Sequence, residues 1–268
     1  PRGASNVPNG SCNSSELPVK LNLKVWRQTA EDTSGRWRTY QVADLDPSMS
    51  ILDVLDVLNE HLVAEGETAV TFESDCREGI CGACGITVNG IPQGPETNVP
   101  ACHQRLHSFT DGQTVTLEPF RADSYRVLQD LMVDRSALDA VTTAGAHVSV
   151  DVGTAPNAES LPVGHETVEQ AIDFGACIGC GACVAACPNG SAQLFLGAQL
   201  TRLALLPLPE LERSRRARAM VNEAEQHFGP CSSYGECALV CPAQVPLSAV
   251  GAVNHERLKA AFRRQLRR

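Results

Sequence analysis

From Val19 to Trp26 apolar and polar side chains alternate, with Val19, Leu21, Leu23 and Val25 on one side. A two-residue period of that kind predicts a half-buried strand. The turn-forming Asp32-Thr33-Ser34-Gly35 follows, and Arg36 to Val42 supplies a second strand. The period then changes. Leu52, Leu55, Leu58 and Leu62 recur at helical spacing within Ile51 to Val63, with Ser50 placed to cap the helix and Gly66 to stop it. After a loop-like stretch, Ile86 to Val88 reads as a short strand running into Asn89-Gly90, a strong hairpin turn signal. Thr114 to Leu117 reads as another strand. Hairpin, helix and further strands predict a small β-grasp-like α+β domain over residues 18–141.

The second half has a different texture. Thr142 to Gly164 is rich in Gly, Ala, Thr and Pro, so residues 142–165 read as a linker or domain crossing. Val168 to Phe174, Ala192 to Leu206 and Arg213 to His227 look helical, which makes residues 166–268 mainly α. Residues 1–17 are Ser/Asn/Pro/Gly-rich without an apolar core, and the expectation there is a loose tail rather than a secretory signal. The greasiest stretch, Leu194 to Leu211, is interrupted by Gln199, Thr201, Arg202, Pro207 and Pro209, so the chain is not expected to span a membrane by itself.

Composition narrows the function classes. At 43% hydrophobic and 20% charged residues, the chain can bury a core and is not a disordered protein. Its net charge of −9 argues against nucleic acid as a partner. That charge is unevenly placed: residues 1–165 hold 11 Lys/Arg against 22 Asp/Glu, and residues 166–268 hold 11 against 9. Six of the positive charges lie in Arg257 to Arg268, with Leu258, Phe262 and Leu266 at i, i+4 and i+8. This segment is open to two readings, a solvated terminal helix or a surface facing anionic lipid headgroups or the loops of a membrane partner.

The twelve cysteines carry the chemistry. Apart from Cys12 they fall in three groups, Cys76 to Cys102, Cys177 to Cys187 and Cys231 to Cys241. Disulfide frameworks spread cysteines along the chain, whereas metal sites gather them locally, so the reduced-thiol, metal-binding reading is preferred. Cys76-Arg77-Glu78-Gly79-Ile80-Cys81-Gly82-Ala83-Cys84, with Cys102 beyond, has the C-x4-C-x2-C…C spacing of a plant-type [2Fe–2S] ligand set. Gly79, Gly82 and Gly85 would let backbone N–H groups approach sulfur without a Cβ in the way. Zinc is the competing reading, but its motifs pair one C-x2-C with a second pair that is missing here. A Rieske centre would replace two of the cysteines by His, and His103 and His107 lack the spacing for it.

Cys177-Ile178-Gly179-Cys180-Gly181-Ala182-Cys183-Val184-Ala185-Ala186-Cys187-Pro188 is the full bacterial-ferredoxin run C-x2-C-x2-C-x3-C-P, in which the fourth cysteine serves the other cluster of a pair. The third run, Cys231 to Pro242, repeats the spacing except that Tyr234 stands in the second ligand position. Under the crossing rule Cys177, Cys180, Cys183 and Cys241 form a [4Fe–4S] ligand set, and Cys187, Cys231 and Cys237 form a set of three. A cubane corner without a thiolate tends to be empty, which points to [3Fe–4S]; the alternative is a [4Fe–4S] cluster with water or Tyr234 at the fourth iron. No flavin or nicotinamide fingerprint and no nucleophile–base constellation accompanies these runs, so the chain reads as an electron wire with no substrate site of its own.

These motifs resemble the iron–sulfur subunit of succinate dehydrogenase and fumarate reductase. The resemblance covers about residues 18–255 and rests on Ser74 to Gly85, on Asp130-Leu131-Met132-Val133-Asp134, and on both C-terminal runs. It implies a complex in which a FAD-bearing subunit oxidises succinate and passes electrons through the [2Fe–2S], [4Fe–4S] and [3Fe–4S] clusters to quinone at a membrane anchor. The acidic first domain would dock the flavoprotein and the helical domain would face the membrane, placing the chain on the cytoplasmic face of a bacterial plasma membrane. Departures from the family pattern are informative. The gap between Cys84 and Cys102 is long for the family, and a surface insertion is expected around Pro92 to Pro100. Ala192 and Ser232 stand where ubiquinone-type members carry Trp and His, so quinone contacts do not carry over. The expectation shifts to a menaquinone-type anchor, with or without haem. The competing readings are the corresponding subunit of a quinol:fumarate reductase, that of another flavin-dependent dehydrogenase, and a free-standing ferredoxin.

Overall fold

The computed structural model describes residues 18–32, 34–147, 163–206 and 208–265, with side chains as far as 259. Cys12, the 1–17 tail and most of the 142–165 crossing lie outside the described residues. β1 (Val19–Arg27) and β2 (Arg36–Leu45) pair antiparallel, and Leu21, Leu23 and Val25 are fully buried, as their two-residue period requires. The chain then enters α1 (Ile51–Ala64) through a reciprocal cap. The Ser50 hydroxyl accepts from the Asp53 N–H at 3.2 Å, and the Asp53 carboxylate accepts from the Ser50 N–H at 2.8 Å. The helix buries Ile51, Leu52, Val54, Leu55, Leu58 and Leu62, and the chain leaves it through Gly66 at φ +75°.

β3 (Thr87–Val88) and β4 (Ile91–Pro92) flank Asn89-Gly90, both at positive φ, the turn that dipeptide favours. β5 (Thr114–Glu118) lies parallel to β1 and antiparallel to β3, giving the order β2-β1-β5-β3-β4 among the described residues. Parallel neighbours need a crossover, and α1 lies within it. Leu21, Leu23, Val25, Val115 and Leu117 of the sheet share one buried cluster with the apolar face of that helix.

Beyond β5 the sheet domain adds elements not expected from the sequence: β6 (Val127–Gln129), β7 (Met132–Val133) and α2 (Ser136–Val141), which continues as a π turn over Thr142–Ala146. The β6–β7 hairpin has no periodic pattern and is pinned by distant contacts. Asp130, 3% exposed, accepts from Arg27 Nε at 3.1 Å, from the Gln28 N–H at 3.0 Å and from the Thr71 N–H at 2.9 Å.

The helical half comprises α3 (His165–Gly175), α4 (Ala182–Ala186), α5 (Gln193–Leu205), α6 (Glu210–His227), α7 (Glu236–Leu239) and α8 (Ala249–Gln265) among the described residues. α5 is buried over nearly its whole circumference from Gln193 to Leu200, so it is the central helix, with α3, α6 and α8 packed around it. At its crossing with α8 a Cβ on Gly197 would stand 2.1 Å from the Ala249 carbonyl oxygen, so no larger residue fits. Phe120, Tyr125, Val133 and Leu138 join this second hydrophobic cluster, so the chain leaving β5 already packs on the helical half. The fold is therefore α+β, a sheet domain followed by a mainly helical one.

The segment expected as a surface insertion is instead partly internal. Pro92, Gln93, Gly94 and Pro100 are buried, and β4 packs against α4. At the C-terminus Arg257 pairs with Glu225 at 2.9 Å, Lys259 pairs with Glu256 at 3.1 Å, and Leu258 is exposed. The side chains of Phe262 and Leu266 lie outside the described residues. No helix among the described residues is long and apolar enough to cross a membrane.

Candidate iron–sulfur centres

The first cysteine loop follows α1 and turns through Arg77, Gly79 and Gly82, all at positive φ. The Arg77 guanidinium returns to Asp53 and Asp56 of α1 and ties the loop to the helix. This winding aims backbone donors at sulfur. The Glu78 and Cys81 N–H groups reach Cys76 Sγ at 3.3 and 3.4 Å, and the Ala83 N–H reaches Cys81 Sγ at 3.4 Å. The N–H groups of Glu78 and Ile80, helped by the Cys81 thiol, bring the Cys76 thiol down to about 7. Cys84 and Cys102, both buried, are hydrogen-bonded to each other. That bond holds Cys84 low, at about 6, and together with burial pushes Cys102 up. His103 lies beside Gly79 and is only partly buried, while His107 is exposed.

The second and third runs wind alike. Gly179 (φ +66°) and Gly181 (φ +82°) lead into α4, and Ser233 (φ +59°) and Gly235 (φ +89°) lead into α7. α4 and α7 pack together, which brings the distant runs into one neighbourhood. Cys177, Cys180, Cys183 and Cys241 line one small cavity. Cys237 lies within electrostatic reach of Cys187 and Cys231, and also of Cys183. Burial pushes Cys180 up to about 12, and burial with neighbouring sulfur charge raises Cys177, Cys183 and Cys237. Leu194, Phe195 and Val245 wall the Cys177–Cys241 set. Backbone donors again serve the sulfurs: the Val245 N–H reaches Cys241 Sγ at 3.4 Å and the Ser233 N–H reaches Cys231 Sγ at 3.4 Å.

These donor sets suit iron–sulfur clusters. Their sulfurs would bind a cationic iron core as thiolates, and the backbone N–H donors would stabilise the charge left on sulfur. Among the described residues no three His, Cys, Asp or Glu side chains close around a single point as they would around one ion.

The groups also touch in sequence. A Cβ on Gly82 would stand 2.3 Å from the Ile178 carbonyl oxygen, so the first and second loops are in backbone contact. Arg135 bridges them, donating to the carbonyls of Gly82 (2.6 Å), Cys180 (3.1 Å) and Ala83 (2.9 Å) and pairing with Glu73 at 2.6 Å. Cys183, in turn, faces Cys237 of the third group. Beside the second group, Gln199 hydrogen-bonds Cys177, and the Arg202 guanidinium, held by the Ala146 carbonyl at 2.6 Å, offsets part of the rise that burial causes there. Tyr125 donates to the Gly181 carbonyl at 3.2 Å. Arg135, Gln199, Arg202 and Tyr125 were not singled out from the sequence, where nothing distinguishes them from ordinary polar residues; their place follows from tertiary contacts alone.

Comparison with known proteins agrees with this geometry. Residues 22–140 match a 2Fe-2S iron-sulfur cluster binding domain family, and residues 176–245 match a 4Fe-4S dicluster domain family. The chain is therefore an iron–sulfur protein joining one domain of each kind. Over nearly its whole length it is similar to iron–sulfur subunits of succinate dehydrogenase and fumarate reductase. It is 27% identical to the succinate dehydrogenase iron-sulfur subunit of Bacillus subtilis, over 91% of this chain and 94% of that one. It is 28% identical to the fumarate reductase iron-sulfur subunit of Mycobacterium tuberculosis, over 90% and 93%. The fold matches a chain of the Mycobacterium smegmatis Sdh1 complex in the apo form, with a TM-score of 0.63, 22% identity and coverage of 92% and 98%.

Proposed function

We propose that the chain is the electron-transfer subunit of a succinate:quinone oxidoreductase. Cys76, Cys81, Cys84 and Cys102 hold a [2Fe–2S] cluster; Cys177, Cys180, Cys183 and Cys241 a [4Fe–4S] cluster; Cys187, Cys231 and Cys237 a [3Fe–4S] cluster. The observation that supports this reading is the adjacency of the three groups, Gly82 against Ile178 and α4 packed on α7. When bound, the clusters supply one-electron carriers. The protein's own residues hold them at fixed positions, place Arg135 at the junction, and exclude water with apolar walls. In this reading 1–17 is a tail, 18–141 and 166–268 are the two cluster domains, and 142–165 is the crossing between them.

The partners follow from that role. A FAD-containing flavoprotein docks on the acidic first domain, and an anchor subunit carrying quinone, of menaquinone type and with or without haem, holds the helical domain at the cytoplasmic face of the plasma membrane. The similar identities to succinate dehydrogenase and fumarate reductase subunits support the quinol:fumarate reductase direction as a second reading. Low-temperature EPR of the air-oxidised chain is the test. A signal from oxidised [3Fe–4S] integrating to about one spin per chain, while the other two oxidised clusters are silent, is the expected result. Silence at high iron content would sink the three-cluster assignment.

A further inference from the structure

Gln93 is a donor without an acceptor in a place where donors are costly to leave unpaired. It sits just after β4, in the sheet domain, and is 2% exposed. Its backbone N–H is bonded to the Ile86 carbonyl at 2.9 Å, and its φ of +74° turns the side chain off the strand path. The following loop is rigid: Gln104 accepts from the Glu96 N–H at 3.0 Å and donates to the Glu96 carbonyl at 2.8 Å. Gly94 lies so close against Gln104 that a Cβ there would stand 2.5 Å from its amide carbon. Gln93 is thus held in place before any cofactor is considered.

The direction of its amide is also fixed. Oε1 accepts from the Ala101 N–H at 2.8 Å, beside the ligand Cys102; a flipped amide would set NH2 against that N–H, so Nε2 is the free end. Among the described residues Nε2 has no hydrogen-bond partner. β4 packs against α4 across the domain junction, and there the Gln93 amide lies near enough to Cys180 to lower its thiol. A buried amide N–H left unpaired is costly, so it is retained where it has a use.

We propose that Gln93 is a positioning residue of the sheet domain whose side-chain N–H hydrogen-bonds the Cys180 thiolate and raises the reduction potential of the cluster held by the second run. The proposal rests on the ligand assignment above. Reduction adds negative charge that spreads onto the ligating sulfurs, and a donor aimed at one of them stabilises the reduced state more than the oxidised one. One side chain thereby links the two domains, its oxygen beside Cys102 and its nitrogen at Cys180. The cluster's potential then depends on how the sheet domain is seated.

The test is a redox titration of the purified holoprotein, each cluster followed by EPR, with wild type, Gln93→Met and Gln93→Glu. Met keeps the unbranched shape without the donor. Glu is isosteric, keeps the bond from Ala101 and presents oxygen to sulfur, so it guards against a Met variant that fails to fold. The [4Fe–4S] midpoint is expected to fall in both, more in Glu, by about a tenfold change in the one-electron equilibrium, which is about 59 mV. The [3Fe–4S] midpoint should stay fixed, and an exchangeable-proton coupling at the reduced [4Fe–4S] cluster should be lost in Met. An unchanged [4Fe–4S] midpoint with all three clusters present overturns this proposal alone. Equal shifts in all three clusters also overturn it, because they report general loosening. Absence of a [4Fe–4S] signal in the wild type overturns the ligand assignment and this inference together.

Discussion

Tyr234 and Cys180 occupy the same step of two matching turns, yet Tyr234 is 62% exposed and Cys180 is 8% exposed. The preceding residues, Ser233 and Gly179, have φ of +59° and +66°, and the following glycines, Gly235 and Gly181, +89° and +82°. The backbone at Tyr234 is thus wound as for a ligand, while its phenol is out in solvent. The expected effect of Tyr234→Cys follows from this. A thiol offered at that step should let the third site take a fourth iron, and the oxidised-state EPR signal should fall while iron per chain rises. A variant that keeps the full signal and the original iron content would show that this position does not face the cluster.

Arg135 makes four bonds across the junction of the first two loops, three of them to backbone carbonyls. Arg135→Met would leave those carbonyls without their donor and Glu73 without its charge. Loss of about 3 kcal/mol is expected, in line with bonds to charged groups and orphaned buried acceptors. Chemical denaturation followed by circular dichroism measures it. Arg135→Lys should recover only part, since an ammonium cannot span both loops in one plane. Full recovery by Lys would mean that charge alone matters here.

Gly197 allows α5 and α8 to cross with the Ala249 carbonyl against its Cα. Gly197→Ala gains helix propensity but overpacks this crossing, and a net loss of about 1–3 kcal/mol is expected. The damage should be confined to the helical half. The visible absorption and EPR of the [2Fe–2S] site should persist at temperatures where the signals of the other two are lost. Simultaneous loss of all three would show that the halves unfold as one unit.

Much of this was legible in the chain itself. The alternation through Leu21, Leu23 and Val25, the Ser50 cap and the Asn89-Gly90 turn are local signals, each set by neighbours within a few residues. The cysteine spacings are local too, and they mark the two cluster-binding domains that the family models match. What was not legible is long-range. The β6–β7 hairpin exists because Asp130 is gripped by Arg27, Gln28 and Thr71. The burial of Gln93 and the bridging by Arg135 depend on how two domains meet, and the stretch expected as a surface insertion is partly internal for the same reason.

Acid should weaken the entry to α1 before it touches the sheet. Burial by itself would raise the Asp53 carboxyl, but the Ser50 N–H and hydroxyl, with Arg77 and Arg105, outweigh it and hold the group below its ordinary 3.8. A carboxyl depressed on folding stabilises fully above its unfolded value, and the contribution is lost as pH falls from there through the folded value. Ser50→Ala removes both the hydroxyl cap and one of those donors, and a loss of about 1 kcal/mol at pH 7 is expected. As pH falls below 3.8 and through the folded value, Asp53 becomes protonated in both proteins, so the difference between wild type and Ser50→Ala should shrink. Because Arg77 leaves the same helix face for the cysteine loop, the variant should also release iron from the first site sooner on acidification. Denaturation curves at pH 7, 5 and 3, with iron release followed in parallel, check both statements. A difference that stays constant across that range would mean that the Asp53 half of the cap contributes nothing.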